Sequence, residues 1–253
     1  MSRQKEGGNR MKAFSQWPVI RVLGIWHDAA DDAINGILQA AKSQRHLKFH
    51  LVAAFSVLLF SFVVGMDKYE FAVIALVTML VIVAEMFNSA LEAAVDLATR
   101  EFKELARRAK DIAAGAVLIT AVGAMVIAYL ILGPHLAGIW QGNFRVPRHS
   151  AGNIAVLAVI MIMLAVILIK SRSPSGSPLR GGFPSGHTAS AFSLWVSLLH
   201  VTSSPWLIGL GFLGALLVGV SRLRLKIHSG RDVLFGALLG ASVTLVLFQV
   251  FYR

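Results

Sequence analysis

The stretch Phe71–Ala98 reads FAVIALVTMLVIVAEMFNSALEAAVDLA, and it decides the fold. It is long and apolar enough to cross a bilayer, which takes roughly 20 residues in a helix. Yet it carries Glu85, Asn88, Glu92 and Asp96 at i, i+3, i+7 and i+11. At about 100° per residue these four positions form one stripe on one helix face. Ionisable groups at membrane depth are costly, so such a stripe faces a protein interior and marks a functional site. The alternative is a set of buried hydrogen bonds that only holds helices together.

The rest of the chain fits this reading. It has 253 residues, 56% of them hydrophobic and 15% charged, with a mean hydropathy of +0.69. These values exclude an ordinary soluble domain and point to an all-α, polytopic membrane helix bundle. Apolar stretches fall at about 50–66, 71–98, 112–133, 153–170, 186–202, 205–221 and 232–251, giving about seven transmembrane helices. Ahead of them, Ile34, Ile37, Leu38 and Ala41 recur at helical spacing opposite Asp31, Asp32 and Gln39. That pattern predicts an N-terminal amphipathic surface helix from Asp28 to Lys42. The first 27 residues read as a basic arm without a secretory signal.

The formal charge of +11 does not point to nucleic acid, because the cations gather at the ends of apolar segments, where they meet lipid headgroups. The expected partner is the lipid bilayer. Arg100, Lys103, Arg107, Arg108 and Lys110 crowd one loop, and the positive-inside rule puts that loop, the N-terminus, 171–185 and 222–231 in the cytoplasm. Arg145 and Arg148, in the segment 134–152, run against this assignment. Cysteine is absent, which excludes disulfides and thiolate metal sites.

Two runs in the C-terminal half carry phosphoryl-transfer chemistry. One is Phe183-Pro184-Ser185-Gly186-His187-Thr188; the other extends from Ser221 and Arg222 to His228 and Asp232. Phosphoryl transfer needs cations around the non-bridging oxygens, an aligned nucleophile and a proton for the leaving group. Any one of these residues alone is better explained as a turn or a lipid anchor; their joint occurrence at membrane borders is not.

The runs resemble the second and third motifs, P-S-G-H and S-R-x5-H-x3-D, of the type 2 phosphatidic acid phosphatase superfamily. The resemblance implies that His228 attacks phosphorus to give a phosphohistidine. Asp232 would orient the His228 ring, and His187 would protonate the departing oxygen. Arg222, Arg180, Ser185 and the backbone N–H of Gly186 would bind phosphate. No cofactor is implied. The first motif of the superfamily, K-x6-R-P, is not intact: Ser173 precedes Arg180 by seven and no proline follows Arg180. Lys170 or Arg172 is left to supply the second cation.

The acidic stripe, together with Ala109-Lys110-Asp111-Ile112-Ala113-Ala114-Gly115-Ala116-Val117, resembles the prokaryotic diacylglycerol kinase and undecaprenol kinase family. That resemblance implies Glu85 as general base and Glu92 as a magnesium ligand. It places Lys110 and Asp111 on nucleotide, with Asn88 in support, and implies a homotrimer. The family carries a second metal-binding glutamate just before the first crossing, where this chain has Gln44. Glutamine brings an oxygen without charge, and magnesium in nucleotide sites relies on carboxylates.

The organisation expected is therefore a basic arm (1–27), a kinase-like three-helix membrane domain (28–133), a connecting loop (134–152) and a phosphatase-like membrane domain (153–253). The expected function is an integral membrane lipid phosphatase fused to a degenerate lipid-kinase-like domain, in a bacterial inner membrane with both sites facing the cytoplasm. Its substrate would be phosphatidic acid, phosphatidylglycerol phosphate, or an isoprenyl phosphate or diphosphate. The alternatives are a bifunctional enzyme that also uses ATP and Mg2+ to phosphorylate diacylglycerol or a polyprenol, and an N-terminal half that is a membrane scaffold.

Overall fold

The computed structural model of the chain describes residues 32–99, 101, 103–142, 147–172 and 182–252. Every regular element among them is an α-helix: α1 (residues 32–43), α2 (Arg45–Val63), α3 (Lys68–Ala98), α4 (Glu104–Trp140), α5 (Ala151–Arg172), α6 (Gly186–Val201), α7 (Pro205–Arg224) and α8 (Gly230–Phe251). The basic arm, the start of the surface helix at Asp28, and Arg180 with the segment around it lie outside the described residues.

Among the described residues, α2, α3, α4, α5, α7 and α8 are long and apolar enough to cross a membrane. The sixteen-residue α6 occupies the remaining expected segment; at about 1.5 Å per residue it spans roughly 24 Å, somewhat less than the ~30 Å hydrocarbon core. The polytopic all-α bundle is thus as the sequence indicates.

Local chemistry sets the helix starts. Asp67 caps α3 through the Tyr69 and Glu70 N–H groups, while the Glu70 carboxylate accepts from the Asp67 N–H. Ser229 and Asp232 make the same reciprocal box at α8. Pro205 opens α7, where its missing N–H costs nothing.

One boundary differs from expectation. The connecting loop is expected from residue 134, but α4 runs through Pro134 to Trp140, so residues 134–140 belong to a helix. Transmembrane helices tolerate proline where neighbouring groups satisfy the backbone that it frees. The neighbouring His135 meets Glu70 at 3.1 Å, which ties this part of α4 to the start of α3.

The two halves share a core. Leu58 and Phe62 of α2, Ile74 of α3, Ile154, Leu157 and Met161 of α5, and Phe248 and Phe251 of α8 form one buried cluster. His149 fastens the same end of the bundle: its ring stacks on Phe62 at 3.7 Å and donates to the Phe62 carbonyl, and its backbone N–H donates to the Phe251 carbonyl. Arg148 donates to the Tyr252 carbonyl at 2.7 Å, just past the end of α8. Its charge therefore has a local structural use at a helix C-terminus, which is why it reads against the positive-inside pattern.

Lipid is as apolar as leucine, so this cluster is held by close packing and not by exclusion from water. The surface helix follows the same rule. Its Ala41 is buried in one cluster with Leu47 and Leu51 of α2, against which Ile167 and Leu168 of α5 pack, so its apolar face meets protein.

Candidate active sites

At the end of the bundle opposite His149, four helix termini bring charged residues together. Helix α7 ends in a Schellman turn: the Lys226 and Ile227 N–H groups donate to the Leu223 and Arg222 carbonyls, with Lys226 in the left-handed region at φ 54°. A non-glycine residue there costs about 1–2 kcal/mol. The turn reverses the chain so that His228 points back under Arg222, its N–H reaching the Arg222 carbonyl at 3.3 Å. Ser229 then caps α8.

His228 is buried, and its Nδ1 faces Asp232 Oδ2 at 3.8 Å, beyond hydrogen-bond length. Nδ1 has no hydrogen-bond partner among the described residues. The Asp232 carboxylate instead holds the Ser229 N–H at 2.9 Å. The expected pairing of His228 with Asp232 is therefore a close approach without a hydrogen bond.

Lys170, in the last turn of α5, is buried and interacts electrostatically with Asp232 and His228. His187, in the first turn of α6, and Arg222 also act on His228. The structure thus brings together His228, His187, Asp232, Arg222 and Lys170. Arg172, the other cation considered, is exposed one turn end further out.

Ser185 has a different place from the one the motif suggests. It is fully buried, its hydroxyl pairs with Thr188 at 2.9 Å, and its N–H donates to the Asp232 carbonyl. It joins the two motif runs to each other. Gly186, at the first position of α6, keeps its N–H at a helix N-terminus, where anions are favoured.

Sequence reasoning missed the residues that set this distance. A methyl group built on Gly236 would fall on the Ser185 carbonyl, and one on Gly240 on the Ala189 carbonyl, both well inside contact distance. Thr244, one turn further, donates to Ser193 at 2.8 Å. The signal was present as small residues four apart, the pattern that lets membrane helices approach closely.

Burial, then the positive charge of Lys170, pushes the His228 imidazole down to about 4, with Asp232 pulling the other way. The ring is neutral at pH 7. An unfolded chain takes up that proton near 6.5, so between about 6.5 and about 4 the unfolded state binds more protons than the folded one. The contribution of the neutral ring is whole above about pH 6.5 and is lost as the pH falls toward 4. Thermal unfolding midpoints in detergent are expected to drop more steeply across this window for the wild type than for His228→Asn.

The acidic stripe of α3 is also observed. Glu85 is buried, the Asn88 side-chain N–H donates to Glu92 at 3.3 Å, and Asn88 Oδ1 is buried without a hydrogen-bond partner among the described residues. Lys110 is paired with Asp96 at 2.6 Å, and Asp111 with Arg107 at 3.3 Å. Gln44 sits at the non-helical junction between α1 and α2. Among the described residues, no three or more His, Asp or Glu side chains are grouped so as to hold a metal ion.

Residues 31–132 match the prokaryotic diacylglycerol kinase family, and residues 166–253 match the PAP2 superfamily. The chain is 40% identical over 101 residues to the undecaprenol kinase of Bacillus subtilis (strain 168), covering 40% of this chain and 82% of that protein. It is 35% identical over 105 residues to a diacylglycerol kinase of Synechocystis, covering 41% of this chain and 60% of that one. Against the diacylglycerol kinase of Escherichia coli (strain K12) it is 44% identical over 57 residues, 22% of this chain and 47% of the relative. No solved structure gives a significant match. Residues 166–253 thus match the PAP2 superfamily, while the relatives of the N-terminal half place the chain in the prokaryotic diacylglycerol kinase family.

Proposed function

We propose that the chain is an integral membrane lipid phosphatase working through a phosphohistidine. The observation that carries this reading is the convergence of His228, His187, Lys170, Arg222 and Asp232 at one end of the bundle. With Nδ1 turned toward Asp232, Nε2 is the atom left to attack.

Its lone pair forms the P–N bond as the bond between phosphorus and the lipid oxygen breaks. His187 gives that oxygen its proton, and Lys170, Arg222 and the Gly186 N–H neutralise the phosphoryl oxygens. Water then attacks phosphorus, His187 takes its proton, and the P–N bond breaks to release phosphate and neutral His228. Nearby Asp232 stabilises the ring while it carries positive charge. Cations grip the headgroup while the tail stays in apolar surroundings, so the substrate class is a lipid phosphate: phosphatidic acid, phosphatidylglycerol phosphate, or an isoprenyl phosphate or diphosphate.

The test is phosphate release from a panel of these lipids, with and without EDTA, comparing the wild type with His228→Ala. Chelator-resistant release lost in the variant is the expected result. Release abolished by EDTA contradicts the scheme.

A second reading, a lipid kinase in the N-terminal unit, is favoured by the buried Glu85 and by the identity to the undecaprenol kinase. Glu92, with nucleotide phosphates, would hold Mg2+, which would draw charge from the transferred phosphoryl group. Glu85 would take the proton of the lipid hydroxyl. The Lys110–Asp96 pair and the uncharged Gln44 weigh against strong nucleotide binding. Both sites lie toward one face of the bundle, and the cation distribution supports reading that face as cytoplasmic, in a bacterial inner membrane by resemblance to the kinase relatives. Kinase and phosphatase acting there on one lipid would only hydrolyse ATP.

ATP-dependent phosphorylation of a lipid alcohol by His228→Ala protein, abolished by a further Glu85→Gln, is the outcome this second reading requires. By resemblance to the family the assembly is a homotrimer, in keeping with the absence of buried residues along α4 within one chain.

A further inference from the structure

A cavity of about 420 Å³ opens beside His187 and Lys170. Its size falls within the roughly 300–1,000 Å³ of sites that enclose a small molecule. One wall comes from the C-terminal unit, with Met163, Val166 and Leu194 among its residues. The opposite wall is Ile34, Ile37 and Leu38 of α1. That helix lies within the match to the kinase family, so a cavity lined by His187 and Lys170 is closed by an element of the other unit.

Ile34, Leu38 and Lys42 recur every four residues, hence on one face, and Lys42 acts electrostatically on Lys170. The face of α1 therefore runs from apolar side chains to a cation that stands near the headgroup-binding cations.

We propose that α1 forms the chain-selecting wall of the phosphatase site: the first part of the substrate's lipid tail lies between α1 and α5–α6, and Ile34, Ile37 and Leu38 set which tails fit. This rests on the phosphatase reading above. A tail leaving bilayer for this cavity exchanges one apolar surrounding for another. The wall therefore adds little affinity and works by shape, excluding tails that cannot be accommodated.

The opposite readings of α1, a plain membrane-surface anchor or a piece of the kinase site alone, leave the apolar lining next to His187 without a use.

The experiment compares hydrolysis of phosphatidic acids carrying two methyl-branched phytanoyl chains or two straight palmitoyl chains, which differ in width from the third carbon onward, by full-length protein in mixed micelles. For Ile37→Trp, which fills the cavity, the ratio of branched-chain to straight-chain kcat/KM is expected to fall about tenfold or more. For Ile34→Ala and Ile37→Ala, which enlarge it, the ratio is expected to rise. The alanine variants keep the test open where the tryptophan variant does not accumulate. Ratios within about twofold of the wild type in the alanine variants, with hydrolysis still dependent on His228, overturn the role of α1 and leave the phosphatase reading intact. A wild type that releases no phosphate from either lipid, or releases it independently of His228, overturns both.

Discussion

His228→Ala is expected to lower kcat/KM for lipid phosphate hydrolysis by at least roughly 10³-fold, with KM changed far less. The nucleophile is the one group in the proposed scheme that nothing else replaces. Lys170, Arg222 and the Gly186 N–H remain to bind phosphate, so binding outlives chemistry. The buried ring is already neutral at pH 7, so its lone pair is available without a separate base. His187→Ala is expected to lose about 10²–10⁴-fold on lipid substrates, the range for a general acid. It regains much of the deficit on an aryl phosphate, whose leaving group needs no proton. His228→Ala regains nothing there. Asp232→Asn is expected to cost less than either, because Asp232 stands 3.8 Å from Nδ1 and its oxygen is held by the Ser229 N–H. Equal losses for the two histidine variants on lipid and aryl substrates contradict the assigned roles.

Much of this arrangement is legible in the chain, and the physical reason differs from residue to residue. Periodicity exposes the α3 stripe because a helix turns a fixed angle per residue, so Glu85, Asn88 and Glu92 had to share a face. The capping box at Ser229 and Asp232 is equally local, and it fixes where α8 begins. What could not be read depends on contacts between distant segments. The departure from the first phosphatase motif left Lys170 and Arg172 equivalent in sequence; burial at the end of α5 separates them. The loop expected from residue 134 is instead helix to Trp140, tied to the start of α3 by His135 on Glu70, a contact between segments far apart in sequence. The apolar face of α1 was legible, but that it would share a cavity with α5 and α6 was not.

That dependence on distant contacts is sharpest at Gly240, where replacement by valine is expected to abolish both fold and activity. A methyl at position 240 meets the Ala189 carbonyl oxygen, a backbone atom that cannot rotate away as a side-chain tip can. Overpacking costs about 1–3 kcal/mol where neighbours yield. Here the neighbour is an α6 carbonyl within its own helical ladder, so the cost for valine is expected at or above about 3 kcal/mol, and for alanine about 2 kcal/mol. Relief requires α6 to move away from α8, which also strains the Thr244–Ser193 hydrogen bond. The same displacement pulls Ser185 from Asp232 and hence His187 from His228. A shift of about 1 Å between reacting groups costs on the order of 10²-fold, so Gly240→Ala is expected to lose activity out of proportion to its loss of stability. Leu238→Ala, on the lipid-facing side of the same helix, is the control and is expected to change neither quantity much. Unfolding midpoints in detergent and initial rates of phosphate release read the two effects separately. Wild-type values of both for Gly240→Val would mean that close approach of α6 and α8 does not hold the two histidine runs together.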